Sequence, residues 1–133
     1  MVVSELMSVD VLTITAQAPL QQAANEMRLA HINHLPVVDG GGGVVGVLSS
    51  FDVMRALAQG NVTSSVSDVM TPQVVTARDN EPASDAAKRL KHHKISCLPV
   101  VDEGGKLVGL VTETDFVELA VQALANRSTS SRD

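Results

Sequence analysis

Two textures of apolar and polar positions alternate along the chain, and the whole alternation comes round twice. VLTI (11–14) and VVTA (74–77) are short runs rich in β-branched residues and predict strands. PLQQAANEMRLA (19–30) and PASDAAKRLKHH (82–93) follow. Ala23, Ala24 and Met27, and again Ala86, Ala87 and Leu90, have the i, i+1, i+4 spacing of one helical face. Each segment opens on proline, whose missing N–H costs nothing in a first helical turn. Next come LPVV (35–38) and VVGVL (44–48), then LPVV (98–101) and LVGLV (107–111), continuous apolar runs suited to strands covered on both faces. DGGGG and DEGGK between them predict hairpin turns, where glycine permits a positive φ. FDVMRALAQ (51–59) and TDFVELAVQALA (114–125) close each half as helices. The order is β-α-β-β-α, twice.

The halves are copies. A shift of 63 positions aligns residues 3–60 with 66–123 without a gap and gives 20 identical pairs over 58 positions, the longest block being LPVVD. An ungapped register of that quality marks an internal repeat, and neither repeat buries its sheet alone, so the two should pack around a pseudo-two-fold axis. The expected fold class is α+β, with repeat 1 at 1–62, repeat 2 at 63–125, a linker at 60–65 and a frayed polar tail at 126–133. The two repeats form one globular module.

At 133 residues with 44% apolar content the chain can build a sizeable core. No apolar run approaches a membrane span, and MVVSELMSVD has no basic-then-apolar leader, so a cytoplasmic protein is expected. The lone Cys97 excludes an internal disulfide and suits a reducing compartment; its place before an apolar strand reads as a buried thiol. A net charge of −5 argues against duplex nucleic acid, and two Phe with no Trp or Tyr against single-strand stacking. GxxxxGK[ST], GxSxG, HExxH and CxxC are all absent, and no activated nucleophile with its base is present, so no enzyme is expected.

One motif carries chemistry. GVLSSFD (46–52) and GLVTETD (109–115) share glycine, two aliphatics, a hydroxyl residue and, three positions on, aspartate. Ser49 with Asp52, and Thr112 with Asp115, form the pattern of a capping box. The same geometry suits a ligand. A helix start with a hydroxyl can take an anion, and a carboxylate one turn in can accept from two vicinal hydroxyls, as a ribose presents. Capping and binding are compatible.

LPVVD, a glycine turn and G-h-h-[ST]-x-x-D, each in register twice, resemble the cystathionine-β-synthase (CBS) domain pair, or Bateman module, over nearly the whole chain. The resemblance implies a regulatory module binding adenosine-containing ligands, of the AMP, ADP, ATP or S-adenosylmethionine class, in the cleft between the repeats. It implies no cofactor requirement, and it implies association into a homodimer. On it, Asp52 and Asp115 hold ribose, while Ser49, Thr112 and His34 face phosphate. Leu12, Ile32, Val47, Val75, Ile95 and Leu110 form the apolar adenine pocket, Leu12 and Val75 from the first strand of the opposite repeat. The second repeat carries Ser96 and Cys97 where the first has Asn33 and His34, so it lacks a cation there. With no effector domain on the chain, an effector protein would act in trans. The alternative is an interaction module with vestigial, empty clefts.

The remaining basic residues read more plainly. His31 and His34 have an i, i+3 spacing but no placed acidic or thiol partner, so no metal is expected. His92, His93 and Lys94 form a basic helix end, and Arg28, Lys88, Arg89 and Lys91 read as solvated faces.

Overall fold

The fold is taken from a computed structural model, which describes residues 1–130. Repeat 1 contains β1 (Ile14–Thr15), α1 (Leu20–Ala30), β2 (His34–Val38), β3 (Val44–Ser49) and α2 (Ser50–Ala58). A short helix α3 (Val66–Val69) leads into β4 (Ala77–Arg78), α4 (Ala83–His93), β5 (Cys97–Val101), β6 (Leu107–Thr112) and α5 (Glu113–Ser130). Each repeat builds a three-stranded sheet, ordered β1-β2-β3 and β4-β5-β6, its first pair parallel and its second antiparallel.

The hairpins form for the expected reason. Gly42 and Gly105 have φ of 85° and 84°, a region side chains rarely enter. Asp39 also accepts from the Gly41 and Gly43 amides, which fixes the first turn. Helices α1 and α4 stop in left-handed turns at His31 and Lys94, both with φ 55°. Two expectations are corrected. The first strands are only two residues long, so Leu12 and Val75 lie before them rather than in them. Helix α5 continues through Ser130, so five residues of the expected tail are helical, since nothing from 126 to 130 is Gly or Pro; residues 131–133 lie outside the described residues.

The repeats exchange their leading segments. Residues 1–8 pack on the second repeat, where Val3 is fully buried in the core with Ala86, Leu98 and Val111. Residues 64–71 pack on the first, where Val66 is fully buried with Leu20, Leu35 and Leu48. Bridges Ser8 to Leu110 and Thr71 to Val47 extend the sheet edges β6 and β3. The two bridges interchange under the 63-residue shift, and so do Val2–Pro82 and Ser65–Pro19, while Gly43–Lys106 maps onto itself. Contacts that swap partners under the repeat shift are what a two-fold relation produces, so the pseudo-two-fold axis passes near the hairpin tips.

Met7 crosses Gly109 and Met70 crosses Gly46 at close range. A Cβ at Gly109 would stand 2.5 Å from the Met7 Sδ and 2.9 Å from the Ser8 carbonyl oxygen. The thioether can move aside but the carbonyl cannot without breaking its bond to the Leu110 amide. Gly109→Ala is expected to destabilise the protein by about 1–3 kcal/mol, the cost of overpacking a tight site. Urea unfolding checks this, and an unchanged midpoint would contradict the close crossing.

Candidate functional site

Strand β3 ends where α2 begins, at Ser49, and β6 ends where α5 begins, at Thr112. Each strand–helix corner opens onto a cleft completed by the other repeat. The first cleft, about 420 Å³, has Val47, Ser49 and Asp52 from repeat 1 facing Val75, Ile95, Ser96 and Lys94 from repeat 2. The second, about 490 Å³, has Leu110 and Thr112 facing Leu12, Ile32, Asn33 and Asp10. His34, Ser96 and Glu113 line both. The expected pocket residues are therefore divided by crossing between repeats. Ser96 and Cys97 stand in the cleft of Ser49, and His34 is not confined to one cleft, which corrects the assignment of a cation to the first site alone.

Asp115 is absent from the lining of the second cleft, and its hydrogen bonds explain why. Its carboxylate accepts from the Thr112 amide at 2.8 Å and the Thr112 hydroxyl at 3.3 Å, while its own amide donates back to that hydroxyl. This is a complete capping box. The first corner differs. Ser49 Oγ accepts from the Asp52 amide at 3.1 Å, but the Asp52 carboxylate turns to Arg55 at 3.2 Å, an exposed pair of little energy. Asp52 thus lines its cleft with a carboxylate left out of the helix cap, and Asp115 is spent on its helix.

The His34 ring nitrogen Nε2 shares a 2.8 Å hydrogen bond with Ser96 Oγ and so ties one repeat to the other between the clefts. Burial pulls the His34 pKa below its ordinary value of 6.5, opposed by the nearby Glu113 carboxylate. The folded state therefore resists protonating this ring. Its stabilising contribution is complete above about pH 6.5 and is lost as pH falls below that value toward the lower folded one. Unfolding free energy is expected to fall through this window, and to fall less steeply in His34→Gln. Equal pH slopes in denaturant titrations would contradict the assignment. Burial also pushes the Cys97 thiol up to about 11, so it is protonated at neutral pH and a poor nucleophile.

Sequence reasoning missed Lys94 and Glu113 as lining residues. Lys94 reads as a solvated helix end, but its left-handed turn carries the chain to the mouth of the first cleft. Arg89 was also expected on a solvated face; it is half-buried, donating to the Thr76 carbonyl and to Glu81 at 2.7 Å. Among the described residues no helix is long and apolar enough to cross a membrane.

Comparison with known proteins places this geometry. The CBS domain family model matches residues 3–59 and again 66–122. The L-aspartate semialdehyde sulfurtransferase of Methanocaldococcus jannaschii is 36% identical over 117 residues, which cover 88% of this chain but 23% of that protein. The chain thus spans about a quarter of the length of that curated relative. The crystal structure of the CBS domain pair of protein MJ0100, in complex with 5′-methylthioadenosine and S-adenosyl-L-methionine, superposes with a TM-score of 0.85 at 33% identity, covering 92% of this chain and 98% of that one. CBSX2, a CBS-pair protein from Arabidopsis thaliana, in complex with AMP, gives 0.80 at 29% identity, with 92% and 97% covered. Two family matches in register, on two sheets that exchange their leading segments, settle the family: the chain belongs to the CBS domain proteins, as a tandem pair.

Proposed function

We propose that this chain is a regulatory module that binds an adenosine-containing ligand in the clefts between its repeats and has no catalytic activity of its own. The first cleft carries the reading. Aliphatic Val47, Val75 and Ile95 offer walls for a flat base, and Ser49 with Asp52 supplies a hydroxyl and a carboxylate not committed to the helix cap at one lip. The likeness to CBS domain pairs solved with AMP and with 5′-methylthioadenosine and S-adenosylmethionine supports the ligand class. Occupation of a cleft shared by both repeats would favour one relative arrangement of them, and a partner in trans would read it. A dye-based thermal-shift panel with AMP, ATP and S-adenosylmethionine tests this. Ligand at about 100 times its dissociation constant adds about 2.7 kcal/mol and raises the midpoint by several degrees. No shift with any of them at millimolar concentration would overturn the reading.

The module is proposed to work as a homodimer in the cytoplasm. Phe51 and Met54 on α2 and Leu29 on α1 are each about 70% exposed, beside a groove of about 670 Å³ between the two helices, and Val117, Val121 and Leu124 line α5 in the same way. Apolar side chains repeated along helical faces are what a second copy would cover. The unpaired thiol of Cys97 suits a reducing compartment. A second reading, an interaction module with empty clefts, is favoured by one observation: Asp115 spends its carboxylate on Thr112.

A further inference from the structure

The two clefts are copies in shape but not in charge. Lys94 lines the first cleft. Its repeat-related residue, His31, lines the groove between α1 and α2 instead of the second cleft. At the next lip Gln73 in the first cleft is matched by Asp10 in the second. Glu113 and His34 line both clefts and so cannot discriminate between them. Burial, moreover, holds His34 toward its neutral form. The first cleft therefore offers an ammonium beside its carboxylates, and the second offers carboxylates with no lysine or arginine among the described residues that line it.

An anionic ligand group in the second cleft would meet Asp10 and Glu113 with no lysine or arginine among the described lining residues to offset the repulsion, while in the first it can be neutralised by Lys94. Building on the adenosine-binding reading above, we propose that Lys94 makes the first cleft the site for a phosphate-bearing adenosine ligand, and that the second cleft takes an adenosine ligand without an anionic group at its 5′ end. Lys94 and Asp10 are then specificity-determining residues, and one chain can hold two chemically different adenosine ligands together. Both residues are exposed, so neither substitution below threatens the core.

The experiment uses the full chain with methyl-labelled Ile, Leu and Val, titrated with AMP and, separately, with uncharged 5′-methylthioadenosine. AMP is expected to shift the methyl signals of Val75 and Ile95, and 5′-methylthioadenosine those of Leu12, Ile32 and Leu110. Lys94→Gln should weaken AMP about fivefold at low salt, the scale of an exposed ion pair, and leave 5′-methylthioadenosine unchanged. Asp10→Lys should admit AMP to the second cleft. If both ligands bind but AMP ignores Lys94→Gln, or fills the two clefts equally in the unaltered chain, the division by charge is wrong while adenosine binding stands. If neither ligand binds, both readings fall.

Discussion

Asp52→Ala is expected to weaken adenosine-ligand binding at the first cleft by about 10- to 100-fold, because a carboxylate holding two ribose hydroxyls contributes charged hydrogen bonds of about 1.5–3 kcal/mol. Stability should change little. Among the described residues the Asp52 carboxylate pairs with exposed Arg55 alone, and the Ser49 hydroxyl still caps the amide at position 52. Asp115→Ala should behave in the opposite way. Its carboxylate closes the capping box of α5, so the substitution is expected to cost about 0.5–2 kcal/mol of stability. It should move ligand affinity less than Asp52→Ala does, because Asp115 is not part of the second cleft's lining. Calorimetric titration and urea unfolding of the two variants separate these effects. Equal losses of affinity in both, or none in Asp52→Ala, would mean that the carboxylates do not divide as their hydrogen bonds indicate.

The second large effect lies at the beginning of the chain. Deleting residues 1–8, or changing Val3→Asp, is expected to destabilise the second repeat, not the first. Val3 is fully buried there, and full burial of one valine is worth about 1.5–3 kcal/mol. The deletion also removes the bonds from the Val3 and Ser4 amides to the Glu81 and Asp79 carbonyls, and the paired bonds between Ser8 and Leu110. Each adds about 0.5–1.5 kcal/mol, so a loss of several kcal/mol follows, a large fraction of the roughly 5–15 kcal/mol a domain has. Val3→Asp acts through the same site by burying a carboxylate without a partner. Hydrogen exchange would locate the damage: protection should fall first in β4, β5 and β6. A deletion that costs less than about 1 kcal/mol, as fraying termini do, would contradict the exchange of segments.

That exchange shows where sequence reasoning reaches its limit in a repeat protein. The elements themselves were legible. Apolar runs, prolines and glycine turns mark β2, β3, α1 and their copies, because burial and backbone sterics act locally. The partner of each leading segment was not legible. Val3 and Val66 are identical, as are Met7 and Met70, so either copy fits either core, and the pattern cannot distinguish its own repeat from the other. The crossing of the clefts was hidden by the same degeneracy: Ile95 and Cys97 share a cleft with Ser49 of the other repeat and not with Thr112 of their own. The unequal fates of Asp52 and Asp115 did leave a trace. Three residues on, the first repeat has Arg55 and the second has Glu118. A carboxylate with a cation one turn ahead turns toward it, and one facing another carboxylate folds back onto the amides of its cap. Lys94 left no such trace, because its placement depends on a left-handed residue at the end of α4 that is not glycine.

The most direct test is isothermal titration of the unaltered chain with AMP, S-adenosylmethionine and 5′-methylthioadenosine in turn. Saturable heat with at least one of them, at a stoichiometry of no more than two ligands per chain and reduced in Asp52→Ala, is the result expected of a module with two inter-repeat adenosine clefts. No saturable heat with any of the three at millimolar concentration would contradict ligand binding and leave a pair of CBS repeats whose clefts are empty.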